Sequence, residues 1–256
     1  MARIELRKAG NYLRRPAIFY TSPMTKSEVL SLLKEQRDER GVANWKKRES
    51  GTGGLKSYGI GLTKLRKLSR QIGRDHDLAA KLWACDNHDA KVVGLLIDEP
   101  KKLTRKQVEE QVEGVGVGML AHVFSSCDAT LPKASFAPDL ARDWIGSDCP
   151  MRRSCGYGLM YELSKNKRNK ELTDKYFLDC IGRIRTKADS ADHRERLSMG
   201  GALIGIGKRN RKLNRESIKV AKAMGPVHYA TTTSDCESLD ILKHLTSDYL
   251  KEKLNA

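Results

Sequence analysis

Apolar residues in this chain return at helical spacing, and they do so between recognisable start and stop signals. Leu62, Leu65, Leu68 and Ile72 fall on one face of a helix that Gly73 ends. Thr25 with Glu28 forms a capping box ahead of Val29, Leu30, Leu32 and Leu33, and Gly41 is expected as the C′ glycine of that segment. Asp75 caps a segment holding Leu78, Leu82 and Trp83. Asp86 and Asn87 then break the pattern before Ala90, Val93 and Leu96 restore it. Pro100 stops that helix, and Thr104 with Gln107 opens another through Val112. Further helices are expected around Leu140 and Trp144 and over 151–163, 172–184, 194–207, 213–224 and 239–254, with a Gly-rich basic loop over 45–59. No stretch combines strict alternation with β-branched enrichment, so a sheet has no source. The expected fold class is all-α.

Short helices in pairs of about 35–45 residues are what stacked solenoid repeats produce, because each pair buries its apolar face only against its neighbours. Periodicity alone leaves a helical bundle open. The 256 residues are read as one domain, with 1–24 giving no clear element and 25–254 forming the helical repeats.

Charge narrows the partners. The chain carries 48 Lys and Arg against 32 Asp and Glu, a formal net charge of +16, which favours a polyanion: nucleic acid, an acidic protein or an anionic lipid surface. Apolar runs fall far short of the ~20 residues a spanning helix needs, and the run 17–20 is too short for a secretory core. No membrane association is expected, and the location is read as intracellular, in the cytoplasm, nucleoid or nucleus. Six cysteines, Cys85, Cys127, Cys149, Cys155, Cys180 and Cys236, lack zinc-site spacing and are too sparse for a disulfide framework, so they read as reduced thiols. The six histidines form no i, i+4 pair, so neither a metal nor a cofactor is expected. Residues 201–208 fail as a phosphate loop, because Ala202 and Arg209 stand where glycine and a hydroxyl are required.

Basic clusters are more informative. Lys64, Arg66, Lys67, Arg70 and Arg74 share a helix with the leucine stripe, while Arg152 and Arg153, the run 165–170 and the run 208–215 recur along the chain. Each alone is an ordinary solvated face. Aligned along a solenoid, they would neutralise several phosphates together. Few aromatics are interleaved with them, which argues against single-strand stacking.

Residues 57–60 (Ser-Tyr-Gly-Ile), Leu65-Arg66-Lys67-Leu68, Leu78-Ala79 with Leu82-Trp83, His88-Asp89-Ala90-Lys91 and Gly207-Lys208-Arg209-Asn210, in this order, resemble the HEAT-like-repeat DNA alkylation repair family of alkylpurine DNA glycosylases. The resemblance implies a right-handed solenoid of antiparallel helix pairs, wound into a C-shaped superhelix whose basic concave face cradles DNA. It also implies hydrolysis of the N-glycosidic bond of N3- or N7-alkylated purines, which needs a carboxylate beside aromatic faces to steady an oxocarbenium-like sugar. In the family pattern a Trp precedes that Asp by four residues and a second Trp lies farther on. Here these positions fall on Gly118, His122 and Gly201. A family arginine near the cleft matches Arg152 or Arg153.

A histidine supplies no fixed negative charge, so the anionic group of the family's site is expected to be lost and the chain is read as leaning away from enzyme activity. Gly114, Gly116, Gly118, Gly200 and Gly201 are expected in helical settings, where each costs about 1 kcal/mol relative to Ala. The leading expectation is a monomer that binds duplex or branched DNA by its backbone through Lys64, Arg66, Arg70, Arg152, Arg153, Lys208, Arg209 and Arg211. One rival retains alkylbase excision, with His122 placing water. Another is a helical scaffold for acidic proteins.

Overall fold

Thr25 opens the first helix as its capping box requires: its hydroxyl accepts from the Glu28 N–H at 3.3 Å, and the Glu28 carboxylate accepts from the Thr25 N–H at 2.6 Å. The computed structural model describes residues 23–47, 52–116, 119–228 and 238–255. Among these residues the helices are α1 (Lys26–Glu35), α2 (Glu39–Lys46), α3 (Leu62–Ile72), α4 (His76–Trp83), α5 (His88–Ile97), α6 (Arg105–Glu113) and α7 (Met119–Ser125). A short 3-10 turn at Leu131–Lys133 leads to α8 (Ala137–Ile145), α9 (Pro150–Lys165), α10 (Asp174–Lys187), α11 (His193–Gly207), α12 (Arg211–Met224), α13 (Ile241–Leu245) and α14 (Asp248–Asn255). No strand occurs among them, only the isolated bridges Lys56–Asn87 and Val227–Leu239. Side-chain caps at Asp75 and Thr104 start α4 and α6, as the sequence predicts, and Asn87, read in the sequence only as a break, caps α5.

The helices form two layers. In the inner row α5, α7, α9, α11 and α13 each pack on the next, while α4, α8 and α12 lie against α5, α9 and α11 from outside. This is the all-α, paired-helix architecture expected from the periodicity. Helices α5, α9 and α11 bury nearly all their apolar side chains because they have neighbours on several sides. Trp83, Phe124 and Trp144 stack in succession at 5.9 and 6.2 Å between ring centres, joining α4, α7 and α8. Along the inner row Gly205 lets α11 approach α9, since a Cβ there would stand 2.6 Å from Ser164 Oγ.

Several local expectations are corrected. Gly41 does not close α1; it lies inside α2, a polar helix capped by Asp38, where a Cβ would meet the Gly59 carbonyl oxygen at 2.0 Å. Trp45 belongs to that helix and not to the following loop. Gly114 and Gly116 are not helical: Gly114 caps the end of α6, and Gly116 has φ +62° in the connection to α7. Gly200 and Gly201 do lie inside α11, and Gly118 is outside the described residues. The segment 239–254 is two helices, parted at Thr246 and Ser247, because the Thr246 hydroxyl bonds back to the Leu242 carbonyl and closes α13.

Candidate nucleic-acid interface

The carboxyl ends of the inner helices lie side by side. Beyond α7, the Thr130 N–H donates to the Leu95 carbonyl in the last turn of α5 at 3.0 Å. Just past α7, the Cys127 N–H donates to Glu162 near the end of α9 at 3.2 Å, and past α11 the Arg209 guanidinium donates to the Ser164 carbonyl at 2.7 Å. Four helix C-termini therefore share one edge of the solenoid. The carbonyls and dipoles at these helix ends favour cationic side chains, and Arg74 and Arg209 donate directly to them.

Those cations gather in two clefts. One, of about 470 Å³, lies between α3 and the loop after α7 and is lined by Arg66, Ser69, Arg70, Arg74, Asp128 and Lys133. The other, of about 400 Å³, lies where α9, α11 and α14 end and includes Lys167, Lys208, Arg211, Lys212 and Lys253. Arg70, Lys167, Lys208, Arg211 and Lys212 are all exposed.

The sequence-predicted residues divide between cleft-lining positions and positions engaged inside the protein. Arg66 and Arg70 line the first cleft, Lys208 and Arg211 the second. Lys64 sits on the first turn of α3, off the cleft stripe. Arg209 lines the second cleft but is engaged internally. It donates to the carbonyls of Ser164, Asn166 and Leu172 and stacks 4.6 Å from the Phe177 ring, with burial holding its pKa below the usual arginine value against the pull of Asp174. Arg152 and Arg153 begin α9, roughly 20 Å along the helix axis from its far end. Both are paired there: Arg152 with Glu109 and Glu113, and Arg153 with Glu195, itself 2% exposed. Lys133 and Lys253 reach the clefts from segments that carry no basic run of their own.

His122 projects from α7 toward the same edge. The residue is exposed, yet partial desolvation of its ring lowers its pKa, opposed by Glu162 and reinforced by Arg66 and Lys165. Glu162, 13% exposed, accepts from Lys165 at 2.8 Å as well as from the Cys127 N–H. Glu162 thus comes into the neighbourhood of His122 from the adjacent helix α9 rather than from α7 itself, a carboxylate that the sequence reading does not identify. The next loop residues, Cys127 and Asp128, have φ +58° and +70°, and Asp128 meets Arg66 at 3.3 Å. The Cys127 thiol is shifted up by burial, and the fully buried Cys155 and Cys180 are pushed up to about 12, so these sulfurs stay protonated at neutral pH.

The sequence profile of the family described as DNA alkylation repair enzyme matches residues 26–234. The chain belongs to this family. Within the DNA alkylation repair family it is 26% identical over 200 residues to an uncharacterized Listeria monocytogenes protein, Lmo0209, covering 75% of this chain and 83% of that one. A Listeria innocua protein, Lin0241, matches to the same extent. A solved structure described as "a new family of proteins related to the HEAT-like repeat DNA glycosylases with affinity for branched DNA structures" superposes with a TM-score of 0.74. It is 20% identical and covers 91% of this chain and 94% of that one. This family member keeps Gly201 inside α11 with open space around it: a Cβ there would meet nothing within 4 Å.

Proposed function

We propose that this protein binds DNA through the phosphate backbone along the cationic edge, and that it does so without the glycosylase chemistry of its family. The observation that carries this reading is the convergence of cations from α3, α9, α11, α12 and α14 on one edge, in two separate clefts. One cleft lies beside α3, α5 and the loop after α7, and the other at the ends of α9, α11 and α14, so the two fall at different points along the inner row. Two separate cationic sites suit two phosphate runs of one duplex, and they also suit two duplex arms that leave a branch point. The structural relative's described affinity for branched DNA supports the second arrangement. The partner is DNA, bound by a monomer inside the cell.

Loss of the family chemistry rests on the residues at the resembling positions. His122 stands for the Asp, and Gly118 and Gly201 stand for the aromatic walls. Without those groups a developing sugar cation has no stacked faces, and removal of one preorganised electrostatic group costs about 3–4 kcal/mol in barrier. One observation favours a second reading: Glu162 brings a carboxylate near His122, enough to orient a water for excision of N3- or N7-alkylated purines. Lys165 and the Cys127 N–H both donate to one oxygen of that carboxylate, Oε1, which ties it into the protein's own network.

A binding series on duplex, single-stranded and four-way-junction DNA at several salt concentrations, run beside an excision assay on methylated DNA, decides between the readings. Junction or duplex binding with a steep salt slope and no released base is the expected result. Release of 7-methylguanine or 3-methyladenine that His122→Ala or Glu162→Gln abolishes would establish the enzyme instead.

A further inference from the structure

Among the described residues, both clefts hold cations without a protein partner, and the first also holds a buried polar group without one. In the cleft between α3 and the loop after α7, Arg70 makes no hydrogen bond or ion pair with the described residues. Arg74 is anchored through one nitrogen, Nη1, to the Leu96 and Asp98 carbonyls and the Thr130 hydroxyl, which leaves its Nε and Nη2 protons available. Lys133 spends one proton on the Asp128 carbonyl at 3.2 Å. Ser69 lines the same cleft, is 6% exposed, and has a hydroxyl with no hydrogen-bond partner. A buried hydroxyl left unpaired in a cationic cleft is an acceptor or donor waiting for a ligand atom.

Charge and donor number identify the ligand. Arg66, Arg70, Arg74 and Lys133 against the single carboxylate of Asp128 leave a local excess of three positive charges. A phosphodiester inside a strand brings one negative charge and two free oxygens. A phosphate monoester brings ~1.5–2 charges and three strong acceptor oxygens. The monoester is the better match. Burial, and to a lesser degree the neighbouring Arg74, lower the Lys133 pKa, while Asp128 and Glu162 oppose. The wall of the cleft is the segment at Cys127 and Asp128, two successive non-glycine residues in left-handed conformation, which holds the Asp128 carboxylate against Arg66.

We propose that this cleft binds the dianionic phosphate monoester at a DNA strand end, through Arg70, Arg74, Lys133 and Ser69. It gives the protein a preference for nicked, gapped or cut DNA that carries a terminal phosphate. The proposal rests on the DNA-binding reading and adds a terminus to it.

The test compares equilibrium binding of otherwise identical nicked duplexes that end in 5′-phosphate, 3′-phosphate or hydroxyl, with inorganic phosphate titrated into a chloride buffer as the free anion. A phosphate end at the nick is expected to bind about tenfold more tightly than a hydroxyl end, as a few charge-assisted hydrogen bonds provide. Arg70→Gln and Lys133→Met should each bring that ratio close to one. Ser69→Ala guards against misfolding, because it removes a hydroxyl that bonds to nothing in the protein. Its melting temperature should hold or rise while the ratio falls about threefold. Hydroxyl and phosphate ends bound equally by a protein that binds DNA would overturn the cleft assignment and leave the DNA reading intact. Inorganic phosphate binding that Arg70→Gln abolishes, in a protein that binds no DNA, would uphold the cleft and remove the DNA reading.

Discussion

The carboxylate of Asp89 accepts a hydrogen bond from the Ser57 hydroxyl at 2.7 Å, joining two family-like segments that the sequence holds about thirty residues apart. Asp89 is fully buried, and the Tyr58 and Ile60 N–H groups donate to the same carboxylate. Residues 57–60 and 88–91 therefore act as one object, an acid on α5 that organises the loop ahead of α3 and so the helix that carries Arg66 and Arg70. Asp89→Ala strands those N–H donors and should cost about 3 kcal/mol in urea unfolding, whereas Ser57→Ala should cost about 1 kcal/mol.

His88, beside Asp89, is buried against the Trp45 ring at 4.5 Å, and neither ring nitrogen has a partner. Burial lowers its pKa, with Asp89 opposing. The unfolded chain, with a histidine pKa near about 6.5, then binds more protons than the native one below that pH. Stability should be full above about pH 7 and fall as the pH drops below about 6.5, ahead of the carboxylate range. His88→Leu should flatten that limb, and thermal unfolding from about pH 5 to 8 measures it.

Helix starts were legible in the sequence because capping is local: Thr25, Asp75 and Thr104 act on N–H groups within three residues of themselves. Helix α2 escaped because its apolar content is small and Gly41 looks like a stop until Gly59 is seen packed against it. The interface was legible as clusters of charge but not as a surface. Nothing in the spacing says that Arg152 meets Glu109 or that Arg153 meets Glu195, each more than forty residues away, so both arginines read as free. Glu162 was invisible for the same reason, since its relation to His122 comes from the packing of α9 on α7.

Arg209 is the clearest case of a basic residue engaged inside the protein, and we assign it to shaping the cleft rather than to DNA contact. Its three carbonyl acceptors come from the end of α9 and the approach to α10, which a planar fork satisfies and an ammonium does not. Arg209→Lys keeps the charge yet should lower stability by about 2 kcal/mol, with DNA affinity within about twofold at a temperature where the variant is folded. Denaturant melts paired with anisotropy titrations check both halves.

Gly201 has space for a side chain and a helical backbone, so Gly201→Ala should raise stability by about 0.5–1 kcal/mol. If the open space is only the vestige of an aromatic wall, DNA affinity stays the same. A drop in junction affinity despite the stability gain would show that DNA comes close to α11 at this point.

The central claim is that the edge at the inner-helix C-termini, and not the opposite end of α9, meets the phosphates. The slope of log affinity for a four-way junction against log salt tests it most directly, measured for the natural protein, for Lys167→Gln/Lys208→Gln/Lys212→Gln combined, and for Arg152→Gln. The account predicts a slope shallower by about 2–3 in the triple variant, near 0.9 for each phosphate that is no longer neutralised, and an unchanged slope in Arg152→Gln. An unaltered slope in the triple variant, with the flattening found in Arg152→Gln instead, would contradict it.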